Sequence, residues 1–205
     1  MSTPDYPLSL AVEDLVPTVL AFGGFWLLAN IRPVRARQAR LGAVLILAGG
    51  LAKCAWKLLV AAGGPDLPWL AGMLFPLMAL GAALLLGALH KTPSWVYPAV
   101  VAAAGVAAAG LRTMQPIFIL ATLGVTAISV TGAVLAARRR SWLAAALFIL
   151  SVFAVGALAP LRASEQHATL VYQWIEQGIN TTAQAAFLLA VWLTVAAHRR
   201  WELAR

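Results

Sequence analysis

Seven apolar stretches follow one another along the chain with only short polar breaks between them. They cover approximately residues 12–31, 41–62, 69–89, 94–111, 117–137, 141–161 and 169–198. A membrane-spanning helix needs about 20 mostly apolar residues, and each stretch is close to that length. The chain is 62% hydrophobic and 11% charged, whereas soluble domains average about 45–50% apolar and 25% charged residues. We therefore predict an all-α membrane protein, with seven transmembrane helices in one domain over residues 1–205.

The basic residues predict how these helices are oriented. If the loops after spans 1, 3 and 5 share one side with the C-terminal tail, that side holds eleven basic residues and the other only Arg112 and Arg162. The eleven are Arg32, Arg35, Arg37, Arg40, Lys91, Arg138, Arg139, Arg140, Arg199, Arg200 and Arg205. Cytoplasmic loops are enriched in lysine and arginine. We expect the N-terminus outside and the C-terminus in the cytoplasm of a cell membrane, with a bacterial inner membrane as the leading interpretation.

The net charge of +8 invites a nucleic-acid interpretation, which the distribution of charge opposes. The basic residues form short clusters beside apolar stretches, where contact with anionic lipid headgroups is expected. The lipid bilayer is therefore the predicted partner, and nucleic acid is not. Residues 1–15 contain no lysine or arginine, so the positive region of a signal peptide is missing and the first span is expected to be retained.

The seventh stretch carries a stripe of polar side chains in its first half. At about 100° per residue, all of them fall within roughly 140° of one another on a helix. Acid and amide groups in a membrane span face protein or a water-filled cavity, and not lipid. We expect this face to point into the bundle. The stripe consists of Gln173, Glu176, Gln177, Asn180, Thr181 and Gln184.

Two lysines in the second span offer partners for Glu176. Lys53 and Lys57 are four residues apart and share a helix face. Counted from the outer ends of their spans, Lys57, Lys53 and Glu176 lie at depths of roughly 8, 14 and 12 Å. A lone charge at such depths costs several kcal/mol, so we predict that Glu176 contacts Lys53 or Lys57. Two ammonium groups and one carboxylate would leave a positive pocket for an anionic group, unless burial keeps one lysine neutral and able to relay protons.

These residues predict a ligand-binding site in a polar cavity lined by spans 2 and 7. The expected function is binding or transport of a small polar or anionic molecule. One alternative is a non-catalytic receptor or a subunit of a larger membrane complex, which would contact its partner through the small residues of span 4. A second alternative is an intramembrane lipid-modifying enzyme that uses Glu176. A further alternative is a purely structural ion pair that fixes helix register. The predicted site residues are Lys53, Trp56, Lys57, Gln173, Glu176, Gln177, Asn180 and Gln184.

Known enzyme and metal motifs are missing from the sequence. It contains neither a nucleophile elbow nor a glycine-rich phosphate loop, so a non-enzyme is favoured. His90 and His198 lie at the cytoplasmic ends of spans and are interpreted as interface residues, and Glu165 with His167 is too sparse a pair for zinc. No metal or cofactor is predicted. A retinal protein is excluded because span 7 has no lysine for the Schiff base.

Overall fold

The structure is a computed structural model that describes residues 7–31, 35–90, 92–93, 95–164 and 169–203. The regular elements in these ranges are all α-helices, which confirms the predicted all-α class. They are α1 (Leu8–Glu13), α2 (Leu15–Ala29), α3 (Ala36–Ala61), α4 (Pro68–Gly72), α5 (Leu74–His90), α6 (Val96–Leu111), α7 (Gln115–Arg138), α8 (Trp142–Ala163) and α9 (Leu170–Leu203).

Each predicted apolar stretch forms a helix or a pair of helices in line. Five of these units are long and apolar enough to cross a membrane: Leu8–Ala29, Ala36–Ala61, Pro68–His90, Gln115–Arg138 and Leu170–Arg200. The apolar helices Val96–Leu111 and Trp142–Leu158 are shorter. Several helices begin or end beyond the predicted limits, because they continue through arginines and glutamines that an apolar count leaves out. α3, for example, already starts at Ala36.

Two of the in-line pairs are broken near a proline. α1 gives way to α2 at Asp14, three residues before Pro17, and α4 gives way to α5 at Met73, three residues before Pro76. Proline has no N–H group, and its ring clashes with the carbonyl four residues earlier. Pro76 lies inside the predicted third stretch, where a kink is expected, whereas Pro17 lies near the start of the predicted first stretch, where proline is tolerated. The helix instead starts at Leu8, so Pro17 lies in its interior and interrupts it.

The helices form a closed ring in cross-section, in the order α2, α3, α5, α7, α8 and α9, with α9 again contacting α2. α6 packs against α5 and α7. The tightest crossing is between α3 and α5. A Cβ built on Gly42 would lie 2.5 Å from the carbonyl oxygen of Gly81, and one built on Gly81 would lie 2.5 Å from that of Gly42. Only glycine permits this approach of the two backbones.

The main cluster of buried apolar side chains lies in one half of the bundle. This half adjoins the turns that carry Arg35–Arg40 and Arg138–Arg140, and we call it the arginine half. At its centre, the ring of Phe187 contacts those of Phe25 and Phe148, with centroids 4.8 and 5.8 Å apart. Core residues include Leu28, Ala43, Ile46, Leu85, Leu89, Ile128, Ala144, Ala190 and Val191. The opposite half, called the acidic half, holds Glu13, Asp14, Lys53, Lys57 and the polar stripe of α9.

Candidate polar binding site

The polar stripe of α9 faces the interior of the bundle, as predicted. Gln177 is only 6% exposed, and the other five members of the stripe are half-buried. The exposed residues of the same turns are mostly apolar and lie on the other side of the helix. They include Val171, Trp174, Ile175 and Leu189. The lipid-facing surface of α9 is therefore apolar while its inner surface is polar.

The break between α1 and α2 places two carboxylates between α3 and α9. Adjacent residues on a helix point about 100° apart, and α2 packs against both α3 and α9. Asp14 forms an ion pair with Lys57 of α3 through its Oδ2. Glu13 turns toward α9, where the hydroxyl of Thr181 donates a hydrogen bond to Oε1 over 2.6 Å. The two acids thus link the three helices at one level.

The main-chain carbonyl of Asp14 is held from two directions. The hydroxyl of Thr18 donates to it over 3.0 Å, and the thiol of Cys54 on α3 donates to it over 3.4 Å. A helix break next to a proline leaves carbonyl groups without their usual partners. At this break the carbonyl of Asp14, next to the Glu13 carbonyl that loses its donor to Pro17, accepts from two side chains. They also fix the break against α3, beside the ion pair.

The ion pair is buried and lies well inside its helices. The side chains of Lys57 and Asp14 are 13% and 7% exposed. Lys57 lies four residues before the end of α3 and Asp14 six residues after the start of α1, distances of about 6 and 9 Å along the helix axes. Charges at such positions in membrane helices are costly unless paired, and they are retained mainly where they serve binding or transport.

The other predicted site residues on α3 and α9 include Lys53, Glu176, Asn180 and Gln184. Lys53 directly precedes Cys54 on α3 and is half-buried. A contact between Glu176 and either lysine stays a prediction. On α9, the amide nitrogen of Gln184 donates to Asn180 Oδ1 over 3.4 Å.

One hydrogen bond of Trp56 is made to a residue that does not belong to the predicted site. Its indole N–H donates over 2.8 Å to the carboxylate of Asp66, which lies in the exposed turn after α3. The indole therefore ties the end of α3 to the following loop. A role of its ring face in ligand binding stays a prediction.

Glu13 and Asp14 were missed by reasoning from the sequence, and they change the charge count. Both lie at the start of the predicted first span, residues 12–31, where acids carry little information on topology. With Glu176 they make three carboxylates in the acidic half, against the ammonium groups of Lys53 and Lys57. The expected excess of positive charge thereby becomes an excess of negative charge. The matching depths of Asp14 and Lys57 appear only in the structure, where α1 begins at Leu8 and not at residue 12.

A groove of about 350 Å³ lies between α8 and α9. It is lined by Ala154, Ile175, Gly178, Ile179 and Thr182 and is open on one side. Four of these five residues are apolar, and Ile175, Gly178 and Thr182 belong to the exposed surface of α9. The groove therefore lies on the exposed exterior of the helix bundle and not in its interior. The predicted polar cavity between spans 2 and 7 stays a proposal.

His90 joins three helices at the arginine end. Its Nδ1 lies 3.2 Å from the hydroxyl of Tyr97 on α6, and its Nε2 lies 3.1 Å from the hydroxyl of Thr131 on α7. Within the described residues, no group of three His, Cys, Asp or Glu side chains is arranged to hold a metal ion. Glu165 and His167 lie outside the described residues.

No protein-family model, curated protein or solved structure matches the chain. The class of protein therefore follows from the fold and the site alone. Long apolar helices packed side by side define a multi-pass helical membrane protein. Its distinguishing feature is a group of polar residues in the acidic half, where a broken helix brings Glu13 and Asp14 to Thr181 and Lys57.

Proposed function

We propose that the protein binds a small polar or charged molecule in the acidic half of the bundle and transports it across a cell membrane. In this proposal all seven helical units cross the membrane, with the N-terminus outside and the arginine half toward the cytoplasm. The binding residues are Glu13, Asp14, Lys57 and the inward stripe of α9. Lys53 and Glu176 belong to the same site.

The observation that carries the proposal is the buried Asp14–Lys57 pair at a break in a membrane helix. In transporters, substrate sites are commonly built where a membrane helix is interrupted, because irregular backbone at membrane depth is tolerated beside protein or a polar cavity. Ionisable side chains at that depth are a functional-site hypothesis by default. Here both features occur together, and the amide stripe of α9 is close by.

A purely structural role for the ion pair is the main competing explanation, because buried pairs can fix helix register. Such a role needs two charged groups. It does not account for Glu13, whose second carboxylate oxygen is buried without a hydrogen bond among the described residues. Nor does it account for the six polar side chains on the inner side of α9.

Transport is tested with the purified protein in proteoliposomes on a solid-supported membrane. The probes are sodium, ammonium, ethanolamine, chloride, phosphate and alanine, applied one at a time as concentration jumps. Glu176→Gln and Lys53→Met should abolish the current that one of these probes evokes. The matched control is Thr182→Val, because Thr182 is exposed on the outer side of α9 and bonds back to the carbonyl of Gly178 over 2.8 Å. A current that both site variants leave unchanged, or no response to any probe, would overturn the proposal.

The proposed orientation has its own test in intact cells. Single cysteines are introduced as Ser9→Cys in α1 and Arg200→Cys near the end of α9, both at exposed positions. The native Cys54 is buried and gives a low background. A membrane-impermeant maleimide should label the variant at position 9 and label the one at position 200 only after lysis. The reverse pattern would place the N-terminus inside.

A further inference from the structure

Besides Asp14 Oδ2, which has Lys57 as its ion-pair partner, three buried side-chain atoms of Glu13 and the polar stripe of α9 have no hydrogen-bond partner among the residues that the structure describes. They are Glu13 Oε2, Gln173 Oε1 and Gln177 Nε2. Buried polar groups in folded proteins are almost always hydrogen-bonded, and each exception calls for a physical explanation. Gln177 is the most demanding of the three, because the residue is only 6% exposed.

These atoms belong to one continuous row of side chains. Gln173, Gln177 and Thr181 follow one another at intervals of four residues, so they lie along one side of α9 about 6 Å apart. Thr181 ends the row by donating to Glu13 Oε1. The unpartnered Oε2 belongs to the same carboxylate. The row therefore runs from Glu13 toward Leu170, where α9 begins.

We infer that this row is the binding site for a small molecule that carries a protonated amine, with Glu13 as its counter-ion. The inference rests on the proposed function, since it specifies the solute. Asp14 already has Lys57 as a partner of opposite charge. The remaining carboxylates of the acidic half, Glu13 and Glu176, outnumber the remaining ammonium group of Lys53, so a cationic ligand restores the balance of charge.

The hydrogen-bonding groups narrow the chemistry further. Glu13 Oε2 is an acceptor for the ammonium group, which has N–H donors to offer. Gln177 Nε2, one turn from Thr181 along the row, is a donor, so the ligand must also present an acceptor atom, such as a hydroxyl, close to its amine. The hydrogen of that hydroxyl can be donated to Gln173 Oε1, which lies a further turn along α9. An alkali cation would suit Glu13 Oε2 and be repelled by the Gln177 amide hydrogens. An anion would be repelled by Glu13.

The test is calorimetric titration of the purified full-length protein in mild detergent. Ethanolamine carries an ammonium group next to a hydroxyl, tetramethylammonium carries the charge without an N–H donor, and acetate carries the opposite charge. Ethanolamine should bind at least tenfold more tightly than tetramethylammonium, and acetate should not compete with it. Glu13→Gln and Gln177→Leu should each weaken ethanolamine binding at least tenfold, while the control Thr182→Val leaves it unchanged.

Equal affinity for the two amines, ethanolamine binding that survives both site variants, or no ethanolamine binding would overturn the inference. If Glu13→Gln does not fold, Gln177→Met carries the same test with a side chain of similar length. The failures of the two proposals can be told apart. An anion that binds in a Lys53-dependent manner would leave the proposed function standing and remove the amine site. The absence of binding or transport for every probe would remove both.

Discussion

Removal of one charge from the Asp14–Lys57 pair should destabilise the protein far more than removal of both charges. The variants are Asp14→Asn, Lys57→Met and the double variant. Asparagine has nearly the size of aspartate, and the main-chain carbonyl at position 14 keeps its bonds from Thr18 and Cys54. Methionine retains most of the length of the lysine side chain. Each substitution therefore removes a charge with little change in packing.

The expected magnitude follows from burial. With side-chain exposures of 7% for Asp14 and 13% for Lys57, the charge left behind has little access to water. An uncompensated buried charge costs about 3–5 kcal/mol, whereas replacement of both partners is close to neutral. Each single variant should therefore lose about 3–5 kcal/mol in free energy of unfolding, and the double variant about 1 kcal/mol or less. The coupling free energy is then about 5 kcal/mol or more.

Reversible unfolding in mixed micelles measures these free energies. Asp66→Asn is the matched control, because Asp66 is exposed and asparagine keeps an acceptor oxygen for the indole N–H of Trp56. It should change the free energy of unfolding by about 0.5 kcal/mol or less. Single variants that each lose less than about 1 kcal/mol, or a double variant whose loss equals the sum of the singles, would refute the reasoning. Either result would mean that water screens the two charges from each other.

Three further predictions concern stability measured in the same way. Gly81→Ala should lower the free energy of unfolding by about 1–3 kcal/mol, because the added Cβ would meet the Gly42 carbonyl oxygen at 2.5 Å. The control Gly105→Ala should be neutral or slightly stabilising, because its Cβ meets nothing within 4 Å. Equal losses for the two variants would contradict the close packing of α3 and α5. Thr181→Val should lower the free energy of unfolding by about 1–2 kcal/mol, because its hydrogen bond to Glu13 is lost. The control Thr182→Val should leave it nearly unchanged. A larger loss for Thr182→Val would reverse the assignment of the inner and outer sides of α9. Arg112→Gly should stabilise the protein by about 1 kcal/mol, because Arg112 ends α6 with a φ of 51° that favours glycine. Gly63→Ala, at a φ of 74°, should destabilise it by about as much. A destabilised Arg112→Gly variant would show that the arginine side chain matters more than backbone strain.

The helices could be predicted from the sequence because a long apolar run has few alternatives to a helix in a membrane. Hydropathy does not record where a helix starts among polar residues. The first span was therefore placed from residue 12, although α1 begins at Leu8. Because α1 begins four residues earlier than predicted, Pro17 lies in the interior of the helical unit Leu8–Ala29 and not in its first turn. The break at Asp14 was therefore missed. At Pro76 the apolar run extended far enough on both sides for the interruption to be expected.

The candidate site was predicted in part, for a related reason. The inward direction of the α9 stripe follows from helix periodicity and the cost of polar groups in lipid, and both hold for any packing of the bundle. The partner of Lys57 depends on which helix lies next to α3, and the sequence contains no such information. Asp14 was close enough in depth to compete with Glu176. Only the packing of α2 against α3 shows that Asp14 forms the pair.

The aromatic contacts between α2, α8 and α9 pack the centre of the bundle closely. Phe187 lies against the backbone of α2 so closely that a Cβ on Gly24 would be 2.5 Å from its ring, and the same ring also contacts Phe25 and Phe148. If the protein transports a solute as proposed, a solute beside Glu13 would be separated from the arginine half by this apolar packing. Its release on that side would require a new rotamer of Phe187 and a parting of α2 from α9, so the proposed transport would be controlled at a point well away from the charges.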